Sequence, residues 1–338
     1  MSFVQYKNLG YDKDNILYFE LEGGVSGNHH AFLNAVRTLP GVKNASAMVG
    51  NVVGAFGSPT DVTVEGHTVP VNRLNVDYEM IETLGIPMKA GRTFSPAYND
   101  FGKIILNEAA VDRMGIKDPV GKQIGFGGMR FEIIGVTKNF HYRSLHEAIT
   151  PLAFLLETDR LWNAFIKIES GKEEVTIKKL KELYAEFNPG FTFDYNFLDH
   201  AYQSQYASER RVAWLSLYFA ILTILVSCLG LFGLAAFTVE RRVKEIGVRK
   251  VLGATPQAIV YLLSIDFFKL ILAAIVIGLP VSYYLTSRWL QNFAYAIEPG
   301  VWLFAGSGLL TIMIALMTVG SQALRASLVN PTECLKDL

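Results

Sequence analysis

The chain has 338 residues, 51% hydrophobic and 18% charged, with 31 Lys and Arg balancing 31 Asp and Glu. That balance lacks the basic excess expected of a nucleic-acid binder, so this class is set aside. The two cysteines, Cys228 in an apolar run and Cys334 near the end, make no disulfide framework.

The length allows about two domains, and the apolar residues are unevenly spread. Up to about residue 211 the composition is that of a soluble domain; beyond it apolar residues dominate. The opening, MSFVQYKNLGYDKDN, lacks the apolar core of a signal peptide. Residues 15–21 predict a strand, 30–39 a short helix stopped by Pro40-Gly41, and 42–49 a second strand. Residues 61–64 and 68–71 flank Glu65-Gly66-His67 as a hairpin. A strand over 103–106 leads into a helix over 108–114, and 131–136 is another strand. Gly121 to Gly128 (GKQIGFGG) is glycine-rich but lacks the G-x-x-x-x-G-K-[ST] order of a phosphate loop, so a turn between strands is expected. Residues 165–169 predict a strand, 175–187 an amphipathic helix ended by Asn188-Pro189-Gly190, and 191–197 a final strand. The strand–helix–strand order at both ends predicts a split α/β domain over 1–211, interrupted by a β-rich insertion over about 58–158.

Residues 212–239 contain no Asp, Glu, Lys or Arg and exceed the ~20 needed to cross a bilayer. A second uncharged run, 270–287, is framed by Lys269 and Arg288 and contains Gly278 and Pro280. It predicts a span over about 268–287, and a third is expected over 301–323. Residues 212–338 are thus a three-helix membrane domain. The connection at 240–256 carries Arg241, Arg242, Lys244, Arg249 and Lys250, whereas 288–300 carries one Arg and one Glu. The positive-inside rule puts 240–256 and the tail after Ala323 in the cytoplasm, and 1–211 outside. Arg210 and Arg211 count against this, two against five. Ser227, Gly230 and Gly233 recur every third residue, which suits close packing within one subunit or between two.

Catalytic, metal and cofactor sites are not expected. His146-Glu147 begins H-E-x-x, but position 150 is Thr. His29 and His30 are adjacent and point different ways, and His141 and His146 are five apart, a poor ligand spacing. Neither a nucleophile elbow nor a phosphate loop is present, so the chain is read as not an enzyme. The 240–256 segment is better endowed. Val243, Ile246, Val251 and Leu252 stand among charges without a clean helical stripe, and Gly247 and Gly253 interrupt them. Thr255-Pro256 is an N-cap with proline at the first helical position, starting a helix to about Asp266. A topology signal needs only Lys and Arg; apolar knobs with charged rims suit docking.

ERRVKEIGVRKVLGAT, residues 240–255, resembles the signature loop of the FtsX-like permeases, which include MacB-type ABC transporter subunits. IILNEAAVDRMGIKDPVGKQI (104–124) resembles a segment of the MacB-type outer domain, and RASLVNPTECL (325–335), with Asn330-Pro331, the family's ending. The resemblance implies an α+β extracytoplasmic domain, a porter-like α/β part split by a β-rich one, followed by the three-helix membrane region. It implies a permease subunit of the inner membrane that contacts an ABC-type ATPase through a coupling loop. By position that loop would use Glu240, Arg241, Arg242, Lys244, Glu245, Ile246, Gly247, Arg249, Lys250 and Gly253. The partner's ATP-driven motion would pass to the outer domain for export or extraction. Further expected partners are a second permease unit in a homo- or heterodimer, a periplasmic adaptor and membrane lipid. The family carries a span before the outer domain, and QYKNLGYDKDN resembles the sequence just after it. The chain therefore resembles the second half of a tandem permease without its leading helix. The alternatives are a membrane-anchored sensor or binding module and a non-functional permease fragment.

Overall fold

The computed structural model describes residues 9–53, 59–64, 67–142, 147–290 and 300–328. The turn at Glu65-Gly66, His146, most of the connection after Leu290 and the Asn330-Pro331 motif lie outside the described residues, as do the side chains of Lys244, Lys250 and Val251. The chain divides into two compact units, Met1–Ser208 and Glu209–Leu338.

The first unit runs β1 (Ile16–Glu20), α1 (Gly23–Gly27), α2 (His29–Arg37), β2 (Val42–Met48), β3 (Thr60–Val64), β4 (His67–Val76), α3 (Met80–Thr83), β5 (Met88–Gly91), β6 (Lys103–Asn107), α4 (Glu108–Met114), β7 (Gln123–Phe126), β8 (Met129–Thr137), β9 (Leu152–Leu156), β10 (Asn163–Ile168), α5 (Glu173–Phe187), β11 (Asn196–Phe197) and α6 (Leu198–Gln205). Strands β11-β1-β10-β2 form an antiparallel layer in that order. With α2 and α5 this is a β-α-β-β-α-β unit, and everything from β3 to β9 is inserted between its second and third strands. Phe19, Phe32, Leu33, Ile166, Leu180 and Tyr184 pack one face of the layer. On the other, Ile16, Met48 and Phe165 join Leu74, Phe140 and Phe154 of the insertion.

The insertion closes on itself. Its pairings run β4–β3–β7–β8–β6–β9 and return to β4, with β6–β8 and β4–β9 parallel and the others antiparallel. Closure removes exposed strand edges. Val62, Val71, Ile104, Leu106, Phe126 and Ile133 fill the inside, and Ala110 of α4 joins them. Asn107 fixes α4: its side-chain oxygen accepts from Ala110 and Leu152 N–H groups at 2.9 Å each.

Two sequence expectations for this unit change. Residues 121–128 hold a strand, β7, and the turn shrinks to Gly127-Gly128, both at positive φ. The alternation over 191–197 yields only two strand residues, because only Asn196 and Phe197 find partners, on Tyr18 and Leu17. Phe193 and Tyr195 instead stack on each other.

The second unit is α7 (Ala207–Val251), α8 (Pro256–Leu290) and α9 (Val301–Leu328). Arg210–Val243, Gln257–Leu290 and Val301–Arg325 are each long and apolar enough to cross a membrane. Packing is antiparallel. Tyr283 meets Phe304 at a ring separation of 5.5 Å, and Ala235, Phe267 and Val319 form one cluster. The expected loop at 240–256 is a correction. The chain stays helical through Val251 and unwinds only over Leu252–Thr255. Glu, Arg and Lys are good helix formers, and the single Gly247 costs only ~1 kcal/mol relative to Ala.

Candidate functional site

The first unit holds an open groove of about 690 Å³ lined by Pro59, Pro70, Asn72, Asp112, Arg113 and Thr150 among others. Its buried polar group is already engaged: the Asn72 amide donates to the Tyr142 hydroxyl and the Thr150 hydroxyl at 3.0 Å each. His29 is buried with its ring nitrogens 3.1 Å from the Ser26 carbonyl and 2.7 Å from the Thr158 carbonyl, a packing role. His30 turns toward Asp77, 3.8 Å away. Among the described residues no three His, Cys, Asp or Glu gather as a metal-holding group.

The charged segment is where the second unit becomes distinctive. At 1.5 Å per residue α8 is about 52 Å long, well beyond the ~30 Å hydrocarbon core. Its uncharged stretch between Lys269 and Arg288 accounts for about 27 Å of that. α8 is thus long enough for its first turns to extend past an apolar layer, with the end of α7 packed beside them. This end has its own small core, in which Ile246 packs with Ile259, Leu263 and Ala323, and with Val239, Ala254 and Val260 at its edge. Arg242 of α7 reaches Asp266 of α8 at 3.3 Å.

Helical geometry sorts the residues that looked unpatterned in the sequence. Val239 and Ile246 turn inward, Val243 is half-buried, and Gly247 is buried beside Ile246. Glu240, Arg241, Glu245, Val248, Arg249 and Leu252 turn outward. Arg241, Glu245, Val248 and Leu252 fall at spacings of four, three and four, one stripe on a helix. Val248 is 52% exposed and Leu252 81% exposed. Glu245 and Arg249 pair across one turn at 2.7 Å, and Arg241 lies over the Phe237 ring at 5.2 Å. Val248 was not singled out in the sequence; its place on the outward stripe appears only once the segment is known to be helical.

The tip is tightly made. Gly253 takes φ +89, a left-handed conformation that suits glycine, while Ala254 N–H donates to the Arg249 carbonyl at 2.9 Å. Thr255 then caps α8, its hydroxyl oxygen accepting from Ala258 N–H at 3.3 Å. The result is a packed hairpin end that presents Val248 and Leu252 beside the Glu245–Arg249 pair and Arg241.

The profile of the MacB-like periplasmic core domain matches residues 8–183, and that of the FtsX-like permease C-terminal region residues 217–331. The uncharacterized ABC transporter permease YknZ of Bacillus subtilis (strain 168) is 24% identical over 74% of this chain and 65% of its own length. The probable syringafactin export ATP-binding/permease protein SyfD of Pseudomonas syringae pv. tomato is 23% identical over 80% of this chain and 44% of its own. The chain thus spans less than two thirds of the length of either relative. The periplasmic region of MacB from Actinobacillus actinomycetemcomitans aligns at 16% identity and a TM-score of 0.44, covering 60% of this chain and 98% of that one. The extracellular domain of the transporter YknZ from Gram-positive bacteria aligns at 18% identity and a TM-score of 0.40, covering 54% and 97%.

Proposed function

Starting from the fact that this chain belongs to the MacB-like, FtsX-like family of ABC transporter permeases, we propose that it receives force from an ATP-hydrolysing partner at the α7–α8 tip. The force passes along the three helices to the extracytoplasmic domain, where it drives export or extraction. An ATPase partner is a general requirement of ABC permeases, and relatives such as SyfD are named as ATP-binding/permease proteins. The excess of basic residues at the tip supports a cytoplasmic position for it and for the C-terminus in the inner membrane. A second permease unit and a periplasmic adaptor would complete the assembly.

The observation that carries the reading is the outward stripe on a packed hairpin. Glu245, Val248, Arg249 and Leu252 face outward, while Ile246 fastens the same helix to α8 and α9. A push on Val248 bears on a helix, where a push on a flexible loop would be absorbed locally. Arg241 adds a positive charge to that face, Glu240 an acid at its base, and Gly247 and Gly253 the close packing and the sharp end.

The combined substitution Glu245→Lys with Arg249→Glu tests this. The exposed pair is worth only about 0.3–0.5 kcal/mol, so reversing it leaves the fold intact. Co-purification with the ATPase subunit is expected to fall sharply while the melting temperature in detergent stays unchanged. An unaltered complex would sink the coupling role.

A further inference from the structure

Asp266 faces two cations just ahead of the uncharged run of α8. Arg242 approaches it at 3.3 Å from α7, and Lys269 at 4.0 Å from the next turn of α8. Residues 240–269 carry six Lys and Arg against three Asp and Glu, and one of those acids, Glu245, is already taken by Arg249. Positive charge is therefore in surplus along this segment.

The depth of Lys269 gives that surplus a direction. Phe267 packs with Ala235 and Val319, and Ile271 packs against them, so Lys269 lies level with that apolar cluster. The uncharged run to Arg288 begins at the next residue. Lys269 is 72% exposed, and Leu270 beside it 66% exposed. An ammonium cannot be left bare in hydrocarbon, so its stem runs along the apolar surface and its head rises to the headgroup layer. A phosphate there meets an ammonium from Lys269 and a guanidinium from Arg242, with one shared carboxylate to offset them. Basic sites between helices on the cytoplasmic side suit anionic lipid heads.

We infer that Arg242 and Lys269 form a site for the phosphate of an anionic phospholipid of the inner leaflet, with Asp266 holding the two cations together. The inference rests on the three helices crossing a membrane with the α7–α8 tip on the cytoplasmic side, as proposed above, and not on coupling to an ATPase, so it survives a failed co-purification test.

The experiment is native mass spectrometry of the full-length protein in a non-ionic detergent, titrated with phosphatidylglycerol or phosphatidylcholine of the same chains. A basic residue near an anionic headgroup strengthens binding about fivefold. Phosphatidylglycerol is expected to bind more tightly than phosphatidylcholine by at least that factor. Lys269→Gln and Arg242→Gln should each remove most of the preference, and Lys269→Arg should keep it. Arg288→Gln, at the far end of α8, should leave it unchanged. Equal affinity for the two lipids overturns the inference, as does a loss in Arg288→Gln as large as in Lys269→Gln. Displacement of the lipid by millimolar glycerol phosphate would also overturn it, because the site would then take free phosphate.

Discussion

Asp100 is wholly buried, and its carboxylate accepts from Arg92 at 2.8 and 2.6 Å and from Ser95 N–H at 2.9 Å. The Arg92 guanidinium, helped by the Ser95 amide, holds this carboxyl below the usual range. A depressed folded value means the stability it contributes is fully present above the unfolded value of about 3.9 and is lost as pH falls through the folded one. Asp100→Asn should lower stability at pH 7 by about 2 kcal/mol. It should also flatten the acid limb of an unfolding curve, which thermal melts from pH 7 down to pH 3 would read. Gly91 makes a second local demand. It sits at φ +72 opposite Gly135, and a Cβ there would lie 2.2 Å from the Ile134 carbonyl oxygen. Gly91→Ala is expected to cost at least ~2 kcal/mol in backbone strain alone, measured as a drop in melting temperature. Neither feature was legible in the sequence. Arg92 and Asp100 share an irregular loop with no period to pair them, and a glycine's φ has no signature without its neighbours.

At the scale of elements, long periodic segments were legible and short ones were not. The helix over 108–114 has the bounds expected of it, because Asn107 caps it and Gly115 ends it in the left-handed region. β9 was missed because LAFLL is a continuous apolar run without alternation, as befits a strand paired on both sides by β4 and β6. The charged segment was misread as a loop because its two glycines were given equal weight. Gly253 does end the helix, at φ +89, whereas Gly247 sits buried within it. The residues of the candidate site were therefore legible as a group, but their sorting into an inward and an outward face was not. Packing between α8 and α9 yields a further prediction. A Cβ at Gly308 would meet Leu279 Cδ1 at 3.4 Å, an ordinary contact with the end of a flexible side chain. Gly308→Ala should be tolerated, while Gly308→Leu should overpack the pair and cost about 1–3 kcal/mol. Melting temperatures of the two variants in detergent would separate them.

At the scale of the whole molecule, the chain forms two compact units, each with its own core. In the outer unit a β-α-β-β-α-β layer and a ring of six strands share one core through Phe140, Phe154 and Phe165. In the second unit three antiparallel helices lead into a packed end. The α/β layer and its insertion were legible from the strand–helix–strand order at both ends of residues 1–211. Closure of the insertion was not, because it depends on the long-range β4–β9 pairing. The central claim is that the outward stripe at the α7–α8 tip meets an ATPase, and site-specific photo-crosslinking in cells tests it most directly. A crosslinking residue placed at Val248 or Leu252 should capture an ABC-type ATPase subunit, and one at Tyr218, far along α7, should not. Capture at none of the tip positions, or equally from Tyr218, would contradict the account.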